Sequence, residues 1–216
     1  MRIISWEEYT DTHSLLTAHC SLPDTPLAVT IGVFDGVHRG HQALIQRICA
    51  VPSPPDPHSP PTAHCSLLTA PPIPTVITFR QNPLQILNLD AFAGDIMNLE
   101  QKLRVLEVLG VQLTVLIDFS QEFSKINGRD FIDLLLSRPV QLIALGRNFR
   151  CGYRLDTGAE EIRSLAGARG VEVWIAPPVM DEGQPISSSR IRQALADGRQ
   201  AEAERLLGWP AEIVNQ

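Results

Sequence analysis

The chain has 216 residues, of which 44% are hydrophobic and 19% charged, and a formal net charge of −6. That length fits one or two domains, and the composition excludes wholesale disorder. The acidic balance, with a pI near 5.5, excludes a general affinity for nucleic acid or for an anionic membrane surface, so any bound anion must be caught by a local site.

The chain opens MRIISWEEYTDTH, with no apolar region behind a basic start, so it does not read as a secretory signal. No run of about 18 apolar residues exists, so no membrane span is expected. Cys20, Cys49, Cys65 and Cys151 form no Cys-x-x-Cys pair. Scattered cysteines in a chain without a signal read as free thiols, and a cytoplasmic protein is expected.

A ten-residue string at 13–22, HSLLTAHCSL, recurs at 58–67 as HSPPTAHCSL, with eight positions identical. The two copies hold four of the six histidines and two of the four cysteines. The second copy lies in a stretch from Pro52 to Pro74 that holds 9 of the 17 prolines. Two His-x5-His-Cys units could bind zinc. The plainer reading is a duplicated low-complexity insert at about 51–74, because proline crowding prevents helix and removes strand donors. A single domain over 1–210, interrupted by that insert and followed by a tail at 211–216, is expected.

Elsewhere the pattern is regular. Apolar, β-rich runs at 27–34, 75–79, 112–119, 141–145 and 171–175 predict five strands. Helical periodicity is present at 41–50, 99–109, 129–136, 159–168, 188–196 and 200–207. Continuous apolar strands are buried on both faces, and their alternation with helices predicts an α/β fold with a parallel five-stranded sheet flanked by helices. Such sheets bind ligands beyond the carboxyl ends of their strands.

The first segment after a strand reads Thr30-Ile31-Gly32-Val33-Phe34-Asp35-Gly36-Val37-His38-Arg39-Gly40-His41. It is neither Gly-x-Gly-x-x-Gly nor a Walker A loop. Glycine allows close backbone approach to a ligand, and the start of a helix offers free N–H groups to phosphate. His38 and His41, three apart, share one helical face. Such a pair could chelate a metal, but no third ligand at suitable spacing follows, and the glycines after a strand favour phosphate chemistry.

GVFDGVHRGH resembles the His-x-Gly-His signature of the nucleotidyltransferase superfamily, which implies a Rossmann-like fold. In its Phe-Asp-Gly-Val-His form it is similar to the prokaryotic FAD synthetase branch, the adenylyltransferase half of bifunctional riboflavin kinase/FMN adenylyltransferases. A second string, Ile186-Ser187-Ser188-Ser189-Arg190-Ile191-Arg192, is similar to the superfamily's Ile-Ser-Ser-Thr-x-Ile-Arg. On the residues alone, one serine caps a helix, while two arginines in its first turn oppose the helix dipole unless an anion binds there.

The resemblance implies the following site. His38, His41 and Arg192 are catalytic. Gly32, Phe34, Asp35, Gly40, Ser187, Ser188, Ser189 and Arg192 bind ATP, with Arg190 variable and solvated. Asp35 orders the loop or a metal-bound water, with a turn-forming role equally open. Phe79, Pro83, Asn148 and Cys151 bind FMN.

Gly146-Arg147-Asn148-Phe149-Arg150-Cys151-Gly152 matches a family Gly-x-Asp/Asn-Phe-x-Phe-Gly, with Cys151 in place of an aromatic residue. Thr78-Phe79-Arg80-Gln81-Asn82-Pro83 matches Thr-Phe-Asp-Pro-His-Pro only at its ends. Asp118, at the end of a strand, lines the site or forms a turn. The stretch 203–210 resembles the junction into a riboflavin kinase domain, which is not expected within these residues.

The implied reaction joins ATP and FMN to give FAD and pyrophosphate. Mg²⁺ would accompany ATP with no dedicated metal ligands on the protein, and a separate riboflavin kinase would supply FMN. The alternatives are transfer to another phosphorylated or acidic small molecule, and a non-catalytic flavin- or nucleotide-binding module. Nucleic-acid and membrane partners are not expected.

Overall fold

Strands read as continuous apolar runs need helices on both faces to keep them from water, and the computed structural model, which describes residues 1–11, 25–51 and 70–209, has that layering. Both repeat copies, and with them the zinc reading, lie outside the described residues.

The chain opens with β1 (Arg2–Ser5) and α1 (Trp6–Thr10). β2 (Leu27–Ile31) leads through a loop into α2 (Arg39–Cys49), and β3 (Ile73–Phe79) is followed by α3 (Pro83–Leu87), α4 (Leu99–Val108) and β4 (Leu113–Ile117). Next come α5 (Gly128–Leu135) and β5 (Val140–Gly146), then a short antiparallel pair, β6 (Arg150–Cys151) and β7 (Thr157–Gly158). α6 (Ala159–Gly167), β8 (Glu172–Ala176), the hairpin β9 (Met180–Asp181) and β10 (Gln184–Pro185), α7 (Ser188–Ala196) and α8 (Gln200–Leu207) complete it.

The sheet has six strands rather than five, in the order β1-β4-β3-β2-β5-β8, all parallel. The extra strand is β1, four residues long and paired on one side only, to β4. Its apolar run is too short, and too close to the helix that follows, to stand out as a strand. The five predicted strands and six predicted helices are all present, and the fold is the Rossmann-like α/β arrangement expected. Among the described residues no helix is long and apolar enough to cross a membrane.

The strand order reverses at β2. The chain proceeds outward through β3 and β4 on one side, then returns to place β5 and β8 on the other. Loops leaving β2 and β5 therefore diverge, and the crevice between them is where a sheet of this type takes its ligand. β2 stops at Ile31, three residues before the end of its apolar run, because Phe34 takes a left-handed conformation with φ 53.

One face of the sheet packs on α1, α5 and α6. There Trp6 stacks between Tyr9 at 5.4 Å and Phe131 at 5.2 Å. The other face is covered by α2 and α4 through Ile45, Ile48, Val105 and Leu106. Tyr9 is fully buried, and its hydroxyl donates to the Leu135 carbonyl at 2.8 Å, fastening α1 to the end of α5. Burial raises the Tyr9 pKa, so the phenol stays a neutral donor. Tyr9→Phe removes this bond and is expected to cost about 1 kcal/mol, a fall in Tm of about 2–4 °C for a chain of this size. Thermal unfolding at pH 7 checks it, and an unchanged Tm would assign the bond no net value.

Candidate active site

The loop after β2 is held in a conformation that few residues adopt. Phe34, Gly36 and Val37 have φ of 53, 79 and 37. Two non-glycine residues in the left-handed region cost about 1–3 kcal/mol each and persist only where the surroundings impose them. Gly36 also has no room for a side chain, since a Cβ there would lie 3.1–3.2 Å from Leu207 and Ile96.

The surroundings do impose this conformation. Thr78 Oγ1 and Lys102 Nζ donate to the Val33 carbonyl at 3.1 and 3.2 Å. Gln42 and Trp209 both donate to the Val37 carbonyl at 3.0 Å. Gln42 also donates to the Leu207 carbonyl at 2.7 Å, which seats the end of α8 on the loop.

His38 is the N-cap of α2, and its side chain makes no capping bond. The first-turn N–H groups of α2 are thus left without a side-chain acceptor, the arrangement an anion can complete. The His38 and His41 rings stack face to face, with centroids 3.7 Å apart and 16° between planes. Phe34 packs edge-on against His41 at 5.0 Å. Gly40 makes room for this stack, because a Cβ at 40 would stand 3.1 Å from the His38 ring. Its value is space for the imidazole as well as backbone access to a ligand.

Stacked rings this close cannot both carry charge. Burial pushes the His38 pKa down to about 4. Burial, with further help from His38 and Lys102, pushes His41 well below the ordinary histidine range. Both imidazoles are neutral at pH 7, each with a single N–H to give. Nδ1 of each is buried without a hydrogen-bond partner among the described residues. The Nε2–H tautomer is the one that leaves no N–H on those buried Nδ1 atoms without an acceptor.

Asp35 and the serine-arginine string are bound to one another. The Arg192 guanidinium donates to Asp35 Oδ2 and, at 2.8 Å, to the Gly94 carbonyl. Asp35 Oδ1 accepts from the Ile96 N–H at 2.8 Å. Ser188 donates to the Asp35 carbonyl at 2.9 Å. Asp35 therefore orders the loop. Each carboxylate oxygen of Asp35 already accepts one hydrogen bond, and among the described residues no group of three or more metal-ligating side chains occurs. Burial raises the Asp35 pKa, opposed by the Ile96 N–H and by Arg192.

Ser187 is the N-cap of α7, accepting from the Arg190 N–H at 3.3 Å, and Ser189 is exposed. Arg190 is not solvated as expected. It donates to Asp181 at 2.9 Å and Glu202 at 3.1 Å, and its side chain is largely buried. Asp181 is shared with Arg205, and these guanidinium contacts hold its carboxyl below the ordinary range.

Beside the loop lies a cleft of about 510 Å³, open at the carboxyl ends of β2, β3 and β5. The four residues assigned to flavin, Phe79, Pro83, Asn148 and Cys151, all line it, as does Gly32. Its walls are aromatic, with Phe119, Phe123, Phe131 and Phe149. Burial raises the Cys151 thiol to about 12, so it stays protonated and serves as an apolar wall.

The positions that depart from the family string are satisfied within the protein. Arg80 pairs with Asp118 at 2.7 Å, Gln81 donates to the Phe119 carbonyl at 2.9 Å, and Asn82 donates to Asp95 at 3.0 Å while capping α3. Asp118 is exposed, faces Arg80 and is not among the cleft's lining residues.

Lys102 is the site residue the sequence reading missed. Its ammonium is buried and donates to Phe79 O at 3.0 Å, Val33 O at 3.2 Å and Thr78 Oγ1 at 3.3 Å. The signal was a lysine three and four positions before Val105 and Leu106, on the apolar stripe of α4.

The two histidines set a pH dependence. His38 in the folded chain titrates below its unfolded value, so the unfolded state takes up protons first as pH falls. Stability present above about pH 6.5 is expected to be lost as pH falls toward about 4. A pH series of Tm checks this, and a flat series would contradict it. Gly40→Ala displaces the His38 ring and is expected to raise its pKa toward the ordinary value. Proton NMR titration of the ring reads the change, and an unmoved pKa would mean that something other than the gap at Gly40 holds the ring.

A sequence profile of the FAD synthetase family matches residues 21–58 and 68–190. Most of each repeat copy, 13–20 of the first and 59–67 of the second, falls outside that match. The bifunctional riboflavin kinase/FMN adenylyltransferase of Escherichia coli (strain K12) is 31% identical over 193 residues, which cover 88% of this chain and 57% of that protein. The FAD synthetase of Listeria monocytogenes is 27% identical, over 84% of this chain and 68% of that one. A crystal structure described as a macrolide-efflux protein from Streptococcus pneumoniae superimposes with a TM-score of 0.70 at 31% identity, covering 88% of this chain and 66% of that one. The chain thus spans little more than half the length of the bifunctional relatives it matches. With the profile covering most of the chain, and with His38, His41 and the 186–192 string gathered around one loop, the chain belongs to the FAD synthetase family.

Proposed function

We propose that the chain is an FMN adenylyltransferase, transferring AMP from ATP to FMN to give FAD and pyrophosphate. The observation that carries this reading is the junction of two halves at one switch point. An uncapped helix start bearing a neutral, stacked histidine pair adjoins an aromatic cleft large enough for a tricyclic ring.

The chemistry needs little from the protein beyond alignment and charge. A phosphomonoester has a second pKa of about 6, so FMN's phosphate is a dianion at pH 7 and already a nucleophile. One of its oxygens bonds to the α-phosphorus of ATP. The bond from that phosphorus to the bridging oxygen breaks, and pyrophosphate leaves with the electron pair. No proton must move, which suits a site whose histidines are held neutral.

His38 and His41 donate from Nε2–H to phosphate oxygens, and the first-turn N–H groups of α2 share the load. Mg²⁺ enters with ATP as part of the substrate. Arg192 braces the loop through Nε and Nη2, which leaves its remaining N–H groups for pyrophosphate oxygens. Ser188 has a single hydroxyl proton and gives it to the Asp35 carbonyl, so it donates to a phosphate only by releasing that bond. Stacking of the flavin ring falls to the cleft around Phe79 and Phe149, with Asn148 at its polar end.

Transfer to a different phosphorylated acceptor is favoured by one observation, the thiol of Cys151 in a wall where the family string has an aromatic residue. Pyrophosphate release from ATP and Mg²⁺ is therefore measured with FMN and with other phosphorylated acceptors, and riboflavin serves as the negative control. FMN-dependent FAD formation is expected, and release with another acceptor but not FMN would move the reading to that acceptor. His41→Ala is expected to lower kcat by about 10²-fold, the scale of losing a preorganised donor. Unchanged FAD formation in that variant would overturn the assignment.

A further inference from the structure

Lys102 is the buried charged group that the reaction scheme leaves unused. It lies in the first turn of α4, where a cation opposes the helix dipole. Its residue is only 8% exposed, and among the described residues no carboxylate pairs with it. A packing role would be met by leucine or methionine without the cost of burying an ammonium. Three hydrogen bonds offset that cost, and their acceptors fall at one place.

Val33 O stands two residues beyond the end of β2, where the phosphate loop begins. Phe79 O is the end of β3, where the wall of the aromatic cleft begins. Thr78 Oγ1 accepts from Lys102 and donates its own hydrogen bond to Val33 O. One ammonium thus joins the two segments at the point where they diverge.

We propose that Lys102 is a positioning residue for nucleotidyl transfer, its ammonium tying the start of the phosphate loop to the end of β3 and so setting the approach of the acceptor's phosphate to the nucleotide. The inference rests on the reaction proposed above. In-line transfer between two separately held reactants is sensitive to such a tie, since about 1 Å of misplacement can cost about 10²-fold in rate.

The charges around Lys102 are accounted for. Asp35 faces it from the phosphate loop and Asp95 from the segment before α4, neither within ion-pair distance. Asp35 is held by Arg192 of α7 and Asp95 by Asn82 and Gln85. Arg80, beyond β3, is paired with Asp118. His41 of α2 is neutral, and the Lys102 charge helps keep it so. Burial lowers the Lys102 pKa to about 8 against the pull of the two aspartates. Above that pH a neutral amine has two protons for three acceptors, and the tie loosens.

The test compares the wild type with Lys102→Met and Thr78→Val, over a pH series with ATP, Mg²⁺ and FMN. Binding of ATP alone and of FMN alone is measured by calorimetry, and the ring of His41 is titrated by NMR in the ligand-free protein. Lys102→Met is expected to lose about 10²-fold in kcat, with both Kd values within about threefold of wild type. The alkaline fall in wild-type rate, centred near pH 8, is expected to vanish in it, and its His41 pKa to rise. Thr78→Val is expected to lose about tenfold in kcat with the same split.

A wild-type kcat in Lys102→Met, a loss confined to the affinity for one substrate, or a persisting alkaline limb would overturn the proposal. Should Lys102→Met not fold, the split in Thr78→Val decides by the same criteria. Absence of FAD formation by the wild type would sink the reaction instead, and an unmoved His41 pKa in Lys102→Met would then count against Lys102 separately.

Discussion

Apart from one short 3-10 turn, in which the Phe34 carbonyl accepts from the Val37 N–H, the loop between Gly32 and His38 lies outside the sheet and the α-helices, and buried carbonyls must find donors somewhere. How they find them organises the molecule around its site. Val33 takes Thr78 and Lys102, Asp35 takes Ser188, and Val37 takes Gln42 and Trp209. Each donor comes from a different part of the chain, so β3, α2, α4, α7 and the end of α8 all converge on six or seven residues. This over-determination is what lets Phe34 and Val37 stay in left-handed conformations. The 186–192 string, with the look of a phosphate grip, is also the far wall of that scaffold, since Ser188 and Arg192 both close onto Asp35.

For an acidic protein to hold a polyanion its attraction must be concentrated, and around this loop little of it would come from unpaired charge. Arg192 is paired with Asp35, Arg80 with Asp118, and Arg190 and Arg205 with Asp181, while Arg150 and Arg154 line the cleft itself. Beside these stand the open start of α2 and two neutral imidazoles, dipoles already oriented that need no counter-ion stripped from them. Lys102 adds a buried positive charge behind this surface rather than on it.

Around the cleft the residues that depart from the family string do not leave a gap. Arg80, Gln81 and Asn82 turn to Asp118, Phe119 and Asp95, so they stabilise the mouth of the cleft instead of entering it. The cleft keeps its aromatic walls through Phe119 and Phe123 of the β4–α5 connection, Phe131 of α5 and Phe149 after β5. Cys151, kept protonated by burial, substitutes one apolar surface for another.

Periodicity alone determined the parallel α/β layering, because strands buried on both faces and helices buried on one leave different marks in a chain. Residue types local to a few positions marked the loop after β2 and the serine-arginine string. Periodicity passed over β1, a short edge strand with one neighbour and hence a weak apolar signature. What tertiary structure decided were the pairings between distant positions. That Arg190 is consumed by Asp181 and Glu202 while Arg192 reaches Asp35 depends on the twist of α7 against the β9–β10 hairpin and α8. That the histidines are neutral depends on burial and on stacking, and neither is written in a spacing of three. That Lys102, a polar interruption in an apolar stripe, ends between β2 and β3 depends on which face of the sheet α4 covers, a choice made by packing across some seventy residues of chain.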